Sequence, residues 1–330
     1  MVRLRKVTPA MRGWTRKRAG KGFTYLDADG ARLAAADVER VRRLAIPPAW
    51  TDVWICPIPN GHLQAVGTDD AGRLQYLYHP DWRVRRDQEK FERVTAAAKH
   101  LPRARRRVAA DLGAEGMPLT RATAIAVRLL DLGYFRIGND AYADANGSFG
   151  LTTLERRHVR QKGRALLFSF VGKSGVAHQI EIDDADIVAA LRVLRSRRGG
   201  SDRLLAYQAD RGWSDLDAAA VNAYLGDVMG GGLTAKDFRT WHATVIAAAA
   251  LAQSTEKGDT KASRRRAIKA AVEEVSGYLG NTPTIAKGSY VDPRVWDRYE
   301  SGTTIAIPRS RTPAARQAAL EKAVLALLSE

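Results

Sequence analysis

Over the first ninety residues the apolar positions come in short runs that alternate with polar ones, and beyond them they fall at helical spacing. Gly22 to Asp29 (GFTYLDAD) alternates and ends in Asp-Gly, which predicts a strand and a turn. Asp37 to Leu44 has helical spacing with Asp37 as the expected cap, closed by Pro47 and Pro48. Strands are predicted at Asp52 to Ile58, His62 to Thr68 and Arg73 to His79, separated by Pro-Asn-Gly and Asp-Asp-Ala-Gly turns. This pattern predicts a small antiparallel β-sheet domain over residues 1–90 with a helix or two.

From Asp81 to Arg107 the pattern is helical and rich in Arg and Lys, without a Pro/Gly linker, so the domain boundary is placed near Lys90. The remainder, 91–330, reads as a larger, mainly helical domain, which makes the chain α+β. A strong apolar helix opens at Pro118 and ends at Gly133. Strands at Ala165 to Val171 and Ala177 to Ile182 flank Gly-Lys-Ser-Gly. Helices are then expected at Asp184 to Arg197, Asp215 to Val228, Thr234 to Gln253, Arg264 to Tyr278 and Thr312 to Leu328, the last amphipathic and packed on the larger domain. Gly280 terminates the helix before it. Asn281 is the expected cap of a short helix with Pro283 near its start, carrying Lys287 and Tyr290 one turn apart.

Composition narrows the partners. Of 330 residues 45% are apolar, enough for a sizeable core, and 53 Lys and Arg against 36 Asp and Glu give a formal charge of +17. The basic residues recur along nearly the whole chain, which favours a charged face and a polyanionic partner, most simply nucleic acid. A nucleoid-packing or ribosome-associated protein would share that balance. One cysteine, Cys56, excludes an internal disulfide and a Cys-rich metal site, and its apolar surroundings make it a small core residue. No run of about 18 apolar residues and no apolar stretch behind the basic start are found. The expectation is a cytoplasmic, nucleoid-associated protein without membrane contact.

Several residues stand out, each with a bland alternative. Tyr290 follows a small, basic, glycine-containing segment, LGNTPTIAKGSY, although a single tyrosine is usually a packing residue. Arg136, in YFRIGNDAY, follows directly on a buried helix. Lys173 sits at a hairpin tip, where a lysine is ordinarily a solvated surface residue. GKS there invites a phosphate-loop reading, which fails because position 167 is Leu167 and no helix follows. Lys236, Arg239 and His242 share one side of a helix at three-residue spacing. In a strand Gln75 lies on the face opposite Tyr76 and Tyr78; glutamine can read adenine, and tyrosines can pack on sugar and base.

Taken together, LGNTPTIAKGSY, YFRIGNDAY, the GKSG hairpin, KDFRTWHAT and the N-terminal IPPAW, QAVGTD and GRLQYLYH resemble the type IB DNA topoisomerases, specifically the short branch of bacteria and poxviruses. The resemblance runs from about Ile46 to Tyr290. It implies that Tyr290 attacks a DNA phosphodiester, that Arg136 and Arg239 are the two catalytic arginines, and that Lys173 is the catalytic lysine. Asn281 stands where other members carry histidine; it keeps a hydrogen-bond donor and loses an acid–base group. It further implies DNA contacts at Gln75, Tyr76, Tyr78, Asn139 and Tyr142, in a monomer closing on duplex DNA between its two domains. For such a clamp Arg73, Arg86, Lys236 and Lys287 are the candidate phosphate contacts, and Thr284 is a further candidate DNA contact.

The chemistry is consistent with that role. Phenol attack on a phosphodiester builds charge on two non-bridging oxygens, which permanently charged forked guanidiniums match. A lysine near two arginines becomes a better proton donor to the leaving 5′ oxygen. A phosphotyrosine ester conserves the bond, so neither ATP nor metal is implied and no cofactor is expected. A tyrosine recombinase would use nearly the same set, but its usual histidine three residues before the second arginine is here Lys236. A non-catalytic duplex-binding protein is the third reading, which requires that the matched residues fail to converge.

Overall fold

A computed structural model describes residues 2–138, 147–231, 233–256, 260–310 and 312–329. It divides into two compact units, Met1–Lys90 and Phe91–Glu330. The first is an antiparallel five-stranded sheet of β1 (Trp14–Ala19), β2 (Gly22–Leu26), β3 (Thr51–Ile55), β4 (Leu63–Thr68) and β5 (Leu74–Tyr78), in the order β2-β1-β3-β4-β5. Helix α1 (Ala35–Arg43) puts Val41 against Ile55 and Ala65 on one face of that sheet, while Val7, Cys56, Leu63 and Val66 fill the other. Cys56 is fully buried, as its apolar setting predicted. β1 escaped prediction because its sequence, WTRKRA, has no apolar face, and four of its six residues are exposed. Its value lies in Arg16, which donates to the carbonyls of Ile46, Pro47 and Trp50 at 3.1, 3.0 and 2.6 Å and so fixes the IPPAW turn.

Two details of this unit differ from expectation. Asp37 does not cap α1; the helix starts at Ala35 behind Ala34, which offers no side-chain bond, and Asp37 lies in the first turn. There its charge still favours the helix N-terminus. The predicted strands are trimmed at their ends by one to three residues, as hydrogen-bonded ladders end before the apolar run does, while β3 begins one residue earlier than expected, at Thr51.

Helix α2 (Pro80–Ala98) leads into the second unit. There α3 (Leu101–Leu112) and α4 (Leu119–Gly133) are followed by a sheet of β6 (Val159–Lys162), β7 (Ala165–Val171) and β8 (Ala177–Ile182), then α5 (Ala185–Ser196) and the hairpin β9 (Ala206–Ala209) and β10 (Gly212–Asp215). Next come α6 (Ala218–Met229), α7 (Ala235–Ala252), α8 (Lys261–Leu279), α9 (Pro293–Glu300) and α10 (Pro313–Ser329). α4 is buried nearly all round, with Ile125, Leu129 and Leu130 at the centre of one large core. The helix predicted from Asp215 starts instead at Ala218: Asp217 caps it by accepting from the Ala220 amide at 2.7 Å, and Asp215 pairs in β10 with Ala206. Strand pairing across the Asp210–Arg211 turn outcompetes helix extension because it also buries Ala206.

The C-terminal helix α10 buries Leu320, Val324, Leu327 and Leu328. It also buries Glu321, which accepts two hydrogen bonds from Arg105 of α3 at 2.7 and 2.8 Å; the same guanidinium holds Asp131 of α4 at 2.7 and 2.8 Å. The fold is thus α+β, a sheet unit followed by a mainly helical one. Among the described residues no helix is long and apolar enough to cross a membrane.

Candidate active site

α4 ends at Gly133, where a Cβ would come within 2.2 Å of Phe135, so only glycine fits. Tyr134 then takes a left-handed conformation, φ 55° and ψ 28°, which turns the chain out of the helix. Phe135 is buried against Phe168, 5.1 Å between ring centroids, and Arg136 emerges half-buried beside it. Arg136 donates to the side-chain oxygen of Asn281 and, at 3.4 Å, to the carbonyl of Gly280.

Arg239 arrives from the second turn of α7 and is only 4% exposed. Its guanidinium donates to the carbonyl of Tyr134 and, at 2.6 Å, to that of Leu279. It therefore satisfies carbonyls at the C-terminal ends of both α4 and α8, where cations are electrostatically favoured. Gly280 caps α8 in the left-handed region at φ 58°, and the Ser276 hydroxyl donates to the Asn281 carbonyl at 2.7 Å.

Beyond this point the chain differs from expectation. Thr282 caps the next turn, Pro283–Ile285, and the side chain of Asn281 is committed to Arg136 instead. No regular short helix carries Lys287 and Tyr290; the segment Ala286–Tyr290 is a π turn. Such turns are rare and concentrate at functional sites. Here the wider turn leaves Lys287 exposed, 5.9 Å over the ring of Trp296, and buries Tyr290 to 8% exposure. The backbone after Tyr290 is held by Thr244, whose hydroxyl accepts from the Asp292 amide at 3.1 Å.

The Arg239 guanidinium carbon lies 5.6 Å from the centre of the Tyr290 ring. Burial alone would raise the phenol pKa, but Arg239, Arg136 and Lys236 outweigh it, and the phenol is more acidic than an ordinary tyrosine. Burial, and then the charge of Arg136, lower Arg239 to about 10. Arg239 stays charged at neutral pH, so the two guanidiniums form a cationic pair in a low-dielectric setting that favours an anion. Buried donors on Arg136 (Nε), Arg239 (Nε) and Asn281 (Nδ2) have no partner among the described residues.

Arg136 and Arg239 line one cavity together with Phe170, Gly172 and His178 from the β7–β8 hairpin. Lys173 follows Gly172 directly, in the exposed turn Lys173–Gly175, where Ser174 has φ 64°. Of the row Lys236, Arg239 and His242, only Arg239 joins the cavity. Lys236 is exposed and acts on Tyr290 through its charge, while His242 is buried 3.2 Å from Asp131.

The remaining candidates stand apart. Tyr76 and Tyr78 stack on one face of β5, centroids 6.2 Å apart, with Tyr76 46% exposed. Gln75, on the other face, donates to Asp69 at 2.9 Å, as does Arg73; the bonds from Arg73 above all, with Gln75 adding to them, hold the Asp69 pKa at about 2. Arg86 is exposed and pairs with Glu89 at 3.1 Å. Thr284 is exposed beside the π turn. Asn139 and Tyr142 lie outside the described residues. Sequence reasoning missed His178, hidden in a period-two strand, and Tyr134, which contributes a carbonyl that no side-chain pattern reveals.

A buried, acidified phenol lies beside guanidiniums whose charge favours an anion, and two family models match the chain. Residues 79–304 match the model described as eukaryotic DNA topoisomerase I, catalytic core, and residues 22–69 match bacterial DNA topoisomerase IB, N-terminal domain. The DNA topoisomerase 1B of Acanthamoeba polyphaga mimivirus is 30% identical over 301 residues, covering 88% of each chain. DNA topoisomerase 1 of Daucus carota is 30% identical over 174 residues, 51% of this chain and 21% of that protein. The Schizosaccharomyces pombe DNA topoisomerase 1 is 27% identical over 160 residues, 48% and 19% respectively. The chain belongs to the type IB DNA topoisomerases, isomerases whose substrate is DNA.

Proposed function

We propose that this protein relaxes supercoiled duplex DNA by transient single-strand cleavage through a 3′-phosphotyrosyl intermediate, without ATP or metal. The Tyr290 oxygen attacks the scissile phosphorus, forming the tyrosyl ester as the bond to the 5′ oxygen breaks. The phenolic proton leaves to solvent, and the 5′ oxygen takes a proton from Lys173. Religation is the reverse: the 5′ hydroxyl attacks the ester and Tyr290 departs. Arg136 and Arg239 take the charge that develops on the non-bridging oxygens, and Asn281 adds a neutral donor; a preorganised donor of this kind contributes roughly 3 to 4 kcal/mol.

The observation that carries this reading is the set of buried donors on Arg136, Arg239 and Asn281 that have no partner among the described residues, beside a phenol that the two arginines acidify. Donors left unpaired in a folded protein are costly unless a ligand completes them. The arginines already hold each other's surroundings in place through helix-end carbonyls, so little reorganisation is needed when the phosphate arrives. We further propose that Gln75, Tyr76, Tyr78, Arg73 and Arg86 of the sheet unit, and Lys236, Thr284, Lys287, Asn139 and Tyr142 of the helical unit, contact the same duplex, bound by a monomer. Plasmid relaxation in excess EDTA without nucleotide tests the reading. Relaxation at full rate is expected; a requirement for magnesium or ATP would overturn it.

A further inference from the structure

His178 is absorbed by none of the roles above, yet it occupies the wall between them. It stands on β8 opposite Phe170, with the two rings stacked at 18° and 5.1 Å. Two glycines make room for the imidazole. A Cβ at Gly172 would lie 2.7 Å from its Cδ2 and Nε2, and one at Gly280 would lie 2.3 Å from its Cε1. At Gly172 the backbone itself, φ −96°, suits any residue, so the close approach alone calls for glycine. Gly172 immediately precedes Lys173, and Gly280 immediately precedes Asn281. The imidazole therefore bridges the base of the lysine hairpin and the turn that presents Asn281 to Arg136.

Its charge state suits a packing role. Burial, then Arg239, then Arg136 lower its pKa below the ordinary 6.5, which leaves it neutral between two cations at neutral pH. The hairpin tip itself is solvent-facing, with Lys173, Ser174, Gly175 and Val176 all exposed.

We propose that His178 is a positioning residue that docks the β7–β8 hairpin against the Gly280–Asn281 turn and so sets Lys173 at the leaving 5′ oxygen. The proposal rests on the reading of Lys173 as proton donor. A reacting group displaced by about 1 Å can lose roughly 10²-fold in rate. His178→Ala is thus expected to slow cleavage about 10- to 100-fold.

The test uses a duplex in which sulfur replaces the bridging 5′ oxygen at the scissile bond, a leaving group that needs no proton. Single-turnover cleavage of this and the ordinary duplex is compared for the full-length wild type, His178→Ala, Gly172→Ala, Lys173→Ala and the His178→Ala/Lys173→Ala pair. Expected are recovery of His178→Ala to near the wild-type rate on the sulfur duplex, and no further loss from His178→Ala once Lys173 is gone. Gly172→Ala keeps the imidazole but displaces it, and should show the same signature, which preserves the test if His178→Ala folds poorly. Equal slowing of both His178→Ala and Gly172→Ala on both duplexes, or no slowing of either, would overturn the proposal. Failure of Lys173→Ala itself to recover would instead bring down the proton-donor reading on which the proposal stands.

Discussion

Arg239 serves structure and chemistry with one guanidinium. Its donors to the Tyr134 and Leu279 carbonyls close the ends of α4 and α8, and its charge makes the Tyr290 phenol more acidic. Arg239→Ala is expected to raise the Tyr290 pKa, measured as the tyrosinate absorbance lost when the titration of Tyr290→Phe is subtracted. Cleavage should fall by about 10²- to 10³-fold, the usual cost of one preorganised donor. Arg239→Lys should restore much of the acidity and little of the rate, since an ammonium supplies charge without the fork. An unchanged Tyr290 titration in Arg239→Ala would mean that other groups set its acidity. At this scale the family resemblance marked Arg136, Arg239, Asn281 and Tyr290, each of which residue type alone would have left as a packing or surface residue. The fold sets Arg136 and Arg239 on one cavity, with Asn281 bonded to the first and Tyr290 beside the second. Tyr134 left no mark, because its contribution is a carbonyl fixed by a left-handed turn, and His178 left none, because its place depends on two glycines distant in sequence.

Among the elements, the hydrophobic period located the long helices well and misplaced their ends. α4 and α8 carry strong apolar stripes and terminate at glycine, so both were legible. The π turn was not: its residues AKGSY have no period of their own, and the conformation follows from the Asp292 cap and the Thr244 contact after it. β1 lacks an apolar face and was missed; the β9–β10 hairpin, whose Tyr207 and Trp213 pack on the core, was missed too, and only its last residue, Asp215, was read as the start of a helix. The C-terminal helix was expected, but its polar attachment was not. Arg105 sits between Asp131 and Glu321, both buried, so Arg105→Ala would leave two carboxylates without their main partner. Removing one side of such an arrangement costs about 3 to 5 kcal/mol. Equilibrium denaturation should show a loss of that order; a change below about 1 kcal/mol would mean the network is not needed for folding. The pH dependence has a definite sign. Burial opposes ionisation of Asp131, but Arg105 and then His242 hold its pKa well below the ordinary 3.8. Its contribution to stability is therefore complete above about pH 3.8 and lost as pH falls below it.

For the whole molecule, the formal charge of +17 is the property most legible in sequence and the least specific. Binding to a non-cleaved duplex should weaken steeply between about 50 and 200 mM salt, because each neutralised phosphate releases counterions. Arg73→Ala or Lys287→Ala should reduce the salt slope by about one each if that side chain meets a phosphate. A flat dependence would contradict an extended charged interface. What turns a basic, two-unit chain into an enzyme in this account is one oxygen. The most direct measurement incubates an end-labelled duplex with wild type and with Tyr290→Phe and resolves the products on a denaturing gel, with non-covalent binding followed in parallel. Wild type should form a covalent adduct, and Tyr290→Phe should form none while binding the duplex as tightly. An adduct that persists in Tyr290→Phe would move the nucleophile elsewhere, Tyr278 and Tyr299 first, and would contradict the account.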